Sequence, residues 1–375
     1  MKRIAIFCDG TWNRSDGGHS TSVVQLAQAV SPSAADGITQ QVFYLQGVGT
    51  GRGSNRFARA TDKWLGGALG WGLDDNIHEA FRNLVFCFEP GDEIFIFGFS
   101  RGAYTARSLG GLIRSVGIPS RRHVADIPQA MAMYRARGKE SHPDSPASMA
   151  FRAALSPDTA TSTEELAWRK AAGHPPAKLL TIAYLGLWDT VGALGLPGFL
   201  GAVPKVLNRR YQFHDTDLSR SVRSARHALA LDERRRLYPP TLWDNLDDLN
   251  GEATGDERPY QQKWFAGNHS VVGGSGPVPG LSALACNWIA EGAREHLLEF
   301  DREMLQAVVP VPDPLADMTE AVQQAGIANL GGRLLRDRDG PDTEAEIAPP
   351  ARQRIENRAD YRPGSLRRAM STFFQ

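Results

Sequence analysis

The 375-residue chain holds only three cysteines, Cys8, Cys87 and Cys286, scattered and with no C-x-x-C pair. That scarcity argues against a disulfide framework and against a structural zinc site. Cys8 and Cys87 lie in apolar runs and read as core thiols. Net charge is missing too, since 42 Lys and Arg balance 42 Asp and Glu. Without a basic footprint, nucleic acid is not expected as a partner. No uninterrupted apolar stretch approaches the roughly 18 residues of a membrane-spanning helix. The apolar stretch behind Met1-Lys2-Arg3 is too short for a signal peptide, and no small-residue cleavage site follows it. The expected location is cytoplasmic, with export open only to routes that need no N-terminal signal. The glycine-rich run Gly47–Gly53 lacks both the G-x-G-x-x-G phase and a Gly-Lys-Ser/Thr ending. It reads as a loop at the rim of a site, and no cofactor or metal is expected.

What is present is an ordinary globular balance, 42% hydrophobic and 22% charged, in which short apolar runs alternate with helical patterns. Ile4–Cys8, Gln41–Leu45, Glu93–Phe97, Lys178–Leu187 and Lys263–Phe265 read as strands. Ser22–Val30, with Ser22 as its cap, and Leu73–Phe88, Gly102–Val116 and Leu281–Phe300 read as helices. Val222–Leu231 fits either. Such alternation predicts an α/β fold with a mostly parallel sheet and helices on both faces. From about 119 to 177 proline, serine and charge rise and no strand pattern is found. This stretch is expected to be a helical insertion or cap over the site. Residues 1–300 are expected to form the main domain and 301–375 a C-terminal extension. The six arginines within 351–375 read as a basic, mobile end.

The most informative motif is Gly98-Phe99-Ser100-Arg101-Gly102, directly behind the strand-like Asp92–Phe97. A G-x-S-x-G between strand and helix describes a nucleophile elbow, a tight turn that pushes the serine hydroxyl out above the sheet. An ordinary glycine-rich turn is the competing reading. A serine needs a histidine to take its proton and an acid to orient that histidine. Asp189, at the end of Ile182–Trp188, stands where open α/β sheets assemble their sites. A turn-forming role is its alternative. His269, just beyond Trp264-Phe265, fits the base. His227 is the rival, but it lies inside a regular element. One oxyanion donor should be the amide of Arg101, and the second should come from Asp9-Gly10-Thr11, where Gly10 permits close approach. Asp9 itself is expected to brace that loop. A plain turn is again the alternative.

Six runs occur together in this order: Asp9-Gly10-Thr11-Trp12-Asn13, Gly47-Val48-Gly49-Thr50, Gly98–Arg107, Trp188–Gly192, Arg226–Glu233 and Trp264–Gly274. They resemble the uncharacterised α/β-hydrolase family that includes the phospholipase effectors of bacterial type VI secretion systems. The resemblance covers roughly residues 1–300. It implies an α/β-hydrolase-like fold, a triad at Ser100, Asp189 and His269, and hydrolysis of glycerophospholipid or related esters through an acyl-enzyme. Its partners would be a lipid or other ester substrate and a membrane surface touched peripherally. Val271 stands where the family usually has aspartate. The apolar loop Leu194–Leu207 suggests an acyl-chain wall, with a buried connector as its alternative. Small-ester or carbohydrate-ester hydrolysis, or a weakly catalytic binding role, are the rival functions.

Overall fold

Period-two alternation decides how the central strands pack. In β1 (Arg3–Cys8), Ala5 and Phe7 face one layer while Ile4, Ile6 and Cys8 face the other. In β3 (Glu93–Phe99), Phe95, Phe97 and Phe99 oppose Ile94 and Ile96 in the same way. A strand that is apolar on both sides must be covered on both sides, which is the condition of an interior parallel sheet. The protein is described here by a computed structural model covering residues 1–10, 20–47, 66–136, 138–192, 217–236, 238–319, 321 and 335–369.

Among these residues β1 and β3 sit inside a six-stranded, all-parallel sheet. Its other members are β2 (Gln40–Leu45), β6 (Ile182–Trp188), β7 (Ala225–Ala230) and β8 (Tyr260–Phe265), in the order β2-β1-β3-β6-β7-β8. The short pair β4 (Thr159–Ala160) and β5 (Lys178–Leu179) stands apart. The order turns back at β1, which has β2 on one side and β3 on the other. Open α/β sheets build their sites at such a switch, at the carboxyl ends of the strands.

One face is covered by α1 (Ser22–Ala29), through Val23 and Leu26, and later by Leu281, Cys286 and Ile289 of the helix Pro279–Glu295. The other face is covered by α2 (Gly66–Cys87), through Ile77, Phe81 and Leu84, and by α3 (Arg101–Val116), through Leu109, Leu112 and Ile113. The cap of α1 is Thr21, whose hydroxyl accepts from the Val24 amide at 3.3 Å, one residue before the expected Ser22. Val222–Leu231, open between helix and strand, contains β7.

Residues 119–177 carry α4 (Ile127–Arg135), α5 (Pro146–Leu155) and α6 (Thr163–Ala171), together with the short strand β4 where no strand is expected. Their described contacts do not form a cap over the site. They gather at the far end of α3, where Arg152 donates to the Ser115 carbonyl at 2.8 Å and Arg114 to Thr161 at 2.9 Å. The sixteen residues of α3 separate that end from Ser100 by about 24 Å. Topology gives the reason. The chain leaves α3 at the amino edge of the sheet and must re-enter β6 at that same edge. The insertion is held by a buried charge cluster, with Glu165 between Arg152 and Arg169, each at 2.7 Å.

The C-terminal residues differ more from expectation. Residues 335–369 are packed where a mobile end is expected over 351–375, of which 370–375 lie outside the described residues. Ile347, Ala351, Ile355, Tyr361, Leu366 and Ala369 join the same apolar layer as Phe7 and Trp264. Among the described residues no separate core begins after residue 300. The Ala348 amide donates to the Trp264 carbonyl at 2.9 Å, beside the outer strand β8.

Candidate active site

Ser100 occupies the turn between β3 and α3 at φ 58° and ψ −122°. A positive φ in a non-glycine residue is strained and persists only where its surroundings enforce it. Here the neighbours enforce it by lacking side chains. A Cβ on Gly98 would lie 2.5 Å from the Gly102 carbonyl oxygen, and one on Gly102 would lie 2.1 Å from that of Cys8. The Ser100 amide donates to the Trp188 carbonyl at 3.0 Å, tying the turn to the end of β6.

The next residue beyond β6, Asp189, also has a positive φ, 39°. It is fully buried. The Ala230 amide donates to its Oδ1 at 3.0 Å. His269 begins a one-turn helix, α7 (His269–Val272), whose cap Asn268 accepts from the Val271 amide at 3.0 Å. Its ring lies between Phe99 and Tyr238, at centroid distances of 4.8 and 4.9 Å.

These three side chains meet. His269 Nε2 is 2.8 Å from Ser100 Oγ, and its Nδ1 is 2.5 Å from Asp189 Oδ2. An ionised carboxylate only accepts, so Nδ1 carries the proton and Nε2 is left with a lone pair toward the serine hydroxyl.

Asp189 has a further partner that sequence reasoning missed. Arg338 donates through Nη1 to Oδ1 at 2.6 Å and through Nη2 to Oδ2 at 2.9 Å. The same two nitrogens donate to the carbonyls of Ala230 at 3.1 Å and Tyr238 at 2.7 Å. Burial opposes a charge on Asp189, but the Arg338 guanidinium and the hydrogen bond from His269 outweigh it. They hold the carboxyl well below the usual range. Arg338 lies in Arg336-Asp337-Arg338-Asp339-Gly340, whose alternating charge reads as solvated surface.

His227 lies off this chain of hydrogen bonds. It is fully buried; its Nε2 accepts from the Thr190 amide at 3.1 Å and its Nδ1 faces Gln262 Oε1 at 3.1 Å. Burial first, and then the charge of Arg107, push its pKa down to about 3. A neutral imidazole there pins the residue that follows Asp189.

The histidine loop is braced by acids from the turn after β7. The His269 amide donates to Glu233 Oε2 at 3.2 Å, and the Gly267 amide to Asp232 Oδ2 at 2.7 Å. Asp232 also accepts from the Tyr361 hydroxyl at 2.7 Å. Val271, where the family resemblance anticipates aspartate, is fully buried in the apolar layer.

The oxyanion candidates fare unevenly. Arg101 opens α3, so its amide has no partner within the helix. Burial pushes its guanidinium down to about 10, leaving it charged at neutral pH. The Gly10 amide is already engaged, donating to Asp9 Oδ1 at 2.6 Å. Gly10 therefore does not offer the free donor expected of it. The cause is the neighbouring carboxylate, which turns back on its own loop. Asp9 Oδ2 also accepts from Thr21 at 2.9 Å and from Tyr44 at 2.7 Å. Thr11, Val48–Gly53 and the apolar loop Leu194–Leu207 lie outside the described residues.

Among the described residues no group of three His, Cys, Asp or Glu side chains could hold a metal, and no helix is long and apolar enough to cross a membrane. Two clefts of about 170 Å³ lie around Phe88 and the start of β3, at the opposite end of that strand from Ser100.

Comparison with known proteins places the chain in a family. The family described as "T6SS, Phospholipase effector Tle1-like, catalytic domain" matches residues 2–292. An uncharacterized protein of Saccharomyces cerevisiae is 28% identical over 357 residues, covering 92% of this chain and 44% of the yeast protein. A solved structure of an uncharacterized Pseudomonas aeruginosa protein aligns with TM-score 0.43 and 17% identity, over 88% of this chain and 51% of that one. A Tle1 effector bound to the VgrG spike of the type 6 secretion system aligns with TM-score 0.35 and 15% identity, over 74% and 52%. Zea mays acyl-protein thioesterase 2 aligns with TM-score 0.30 and 11% identity, over 78% and 94%. The chain spans about half the length of the yeast relative and of the first two structures. With its family matched over most of its residues, the chain belongs to the Tle1-like phospholipase effector family.

Proposed function

We propose that this member of the Tle1-like family is a serine hydrolase that cleaves carboxylic esters of lipids, most specifically of phospholipids, through an acyl-enzyme. The observation that carries the reading is the continuous path from Ser100 Oγ through His269 to Asp189, with contacts of 2.8 and 2.5 Å. In the reaction Ser100 Oγ attacks the ester carbonyl carbon as His269 Nε2 takes the hydroxyl proton. Asp189 accepts the Nδ1 hydrogen bond and stabilises the imidazolium that forms. The carbonyl oxygen becomes an oxyanion facing the Arg101 amide at the start of α3, where helix geometry leaves the N–H free. Collapse expels the alcohol, protonated by His269. Water, deprotonated by the same nitrogen, then releases the acid and restores the serine.

The family's phospholipase description supports a lipid over a small ester, and interaction with a membrane surface would follow from that substrate. The Tle1 structure bound to a VgrG spike extends the proposal to a secretion-spike protein as a partner of this chain.

A fluorophosphonate probe and a panel of phospholipid and short-chain esters test the reading. The wild type should be labelled, and Ser100→Ala should not. His269→Ala should lose about 10⁴-fold or more in turnover. Phospholipid in vesicles should outrun a short-chain ester. A wild type that resists the probe as fully as Ser100→Ala would refute the hydrolase reading and leave a binding role.

A further inference from the structure

We propose that Arg338 is a positioning residue for this reaction: its guanidinium fork fixes the plane of the Asp189 carboxylate and balances its charge. The catalytic unit of the chain therefore extends to residues 335–369. The inference rests on the reading of Ser100, His269 and Asp189 above. It goes beyond the family match, which ends at residue 292.

A carboxylate offers about four lone-pair positions. On Asp189 all four have donors. Oδ1 receives Arg338 Nη1 and the Ala230 amide, and Oδ2 receives Arg338 Nη2 and His269 Nδ1. Two parallel N–H bonds from one planar group leave the carboxylate no rotation about its Cβ–Cγ bond. The oxygen that meets His269 is therefore set by Arg338. A lysine would bring the same charge without the fork.

The segment bearing Arg338 is itself fastened to the turn after β7. The Arg336 amide donates to the Arg234 carbonyl at 2.8 Å, and Asp337 pairs with Arg234 at 2.8 Å. Gly340 lies so close to Ser365 that a Cβ would fall 2.2 Å from its carbonyl oxygen, and Ser365 Oγ donates to the Leu231 carbonyl at 2.7 Å. The same turn supplies Asp232 and Glu233 to the histidine loop. One segment thus secures the acid directly and the base through the intervening turn.

The positive charge has a second effect. It lies across Asp189 from His269 and opposes the imidazolium that the reaction must form. Among the described residues, the other charged or titratable groups near this pair include Glu233 with its partner Arg235, Tyr238 and His227. Of these, Tyr238 meets Arg338 through its backbone carbonyl at 2.7 Å, a contact the substitution also removes. Fixed geometry and charge are two contributions that separate experimentally.

Full-length Arg338→Met and Arg338→Lys, assayed with a soluble ester across pH, test the proposal. Arg338→Met should lower kcat by about 10²-fold, the scale of a small misplacement of a catalytic group. KM should stay near that of the wild type, because Arg338 is buried beneath Asp189. The acidic limb of its kcat/KM profile should move up by about one pH unit, since a cation facing the Asp189–His269 pair is gone. Arg338→Lys should hold the limb near its wild-type position while recovering only part of kcat. A purely structural role would reduce active protein without moving the limb. A wild-type kcat and profile in Arg338→Met would overturn the inference. If Arg338→Met fails to fold, Arg338→Lys decides: it retains the buried charge, and a wild-type kcat there overturns the role of the fork. Ser100→Ala in parallel keeps the two readings apart, since full activity in that variant would sink the hydrolase assignment rather than the role of Arg338.

Discussion

Ser100 is held by its immediate neighbours in sequence, the glycines two positions to either side, whereas Asp189 is clamped by a residue 149 positions away. The anchor of Ser100 is steric. Backbone from β1, β3 and α3 packs so closely that only glycine fits, and Ser100 has no other conformation available. The anchor of Asp189 and His269 is polar and long-range. Arg338 grips Asp189, while Tyr361 reaches Asp232, which receives the Gly267 amide at the histidine loop. Damage to a steric anchor should be abrupt and should take the local fold with it. Damage to a polar network should be graded, because each member removes one constraint among several.

Gly102→Ala breaks the steric half and carries the larger expected effect. Its new methyl would meet two backbone oxygens, those of Cys8 at 2.1 Å and Asp9 at 2.5 Å, and backbone cannot swing aside as a side chain can. A loss of about 3 kcal/mol in stability is expected, at the upper end of the usual overpacking range. Loss of fluorophosphonate labelling should accompany it. Urea denaturation and probe labelling measure both, and an alanine variant as stable and as reactive as the wild type would contradict the steric account.

Tyr361→Phe tests the polar half at its far end. It removes one donor from Asp232, a buried carboxyl whose pKa burial pushes up. The Gly267 amide still serves the same oxygen. The expected destabilisation is about 1–2 kcal/mol, the scale of one buried acceptor left short. A moderate fall in kcat with unchanged KM should follow, because the effect reaches His269 only through its loop. A loss as severe as that of Gly102→Ala would erase the distinction between the two anchors.

The same division decides what could be read from the sequence. The elbow was legible because strand, glycine, serine, glycine and helix are all local, and each leaves its mark within ten residues. Asp189 and His269 could be singled out by their places at strand ends, since a parallel sheet brings those ends together. Arg338 left no such mark, because a charged residue among charged residues looks solvated until the fold supplies a buried acid. The segment 351–369 misled for a related reason. Its arginines suggest an exposed end, yet Arg354 is buried and spends Nη1 on the carbonyls of Pro314 and Ala316, both at 2.8 Å. Sparse apolar residues such as Ile355 and Leu366 then complete the layer. Strand β7 was ambiguous because its alanines favour a helix, and only pairing between β6 and β8 makes it a strand. The insertion was legible as helix, but its position was not, since that depends on which sheet edge the chain enters.

His227 gives the smallest expected effect on activity and separates support from chemistry. His227→Gln keeps an oxygen able to accept from the Thr190 amide and leaves the Ser100–His269–Asp189 path in place, so turnover should fall far less than in His269→Ala. Its distinctive signature lies in stability against pH. In the folded wild type the His227 pKa is pushed down to about 3, whereas in the unfolded chain it takes its ordinary value of about 6.5. As pH falls below 6.5 the unfolded state binds a proton that the folded state refuses, and stability drops by about 1.4 kcal/mol per pH unit until the folded pKa is approached. Glutamine has no such proton to bind. Above pH 6.5 His227→Gln should be less stable than the wild type, because Gln262 loses the Nδ1 hydrogen. At pH 5 the gap should shrink by about 2 kcal/mol and can change sign. Urea melts of both proteins at pH 8 and pH 5 read this directly, since every other titrating group is common to the pair. A gap that is the same at both values would mean that His227 takes up its proton in the folded protein as readily as in the unfolded chain, and the imidazole held neutral beside Asp189 would be wrong.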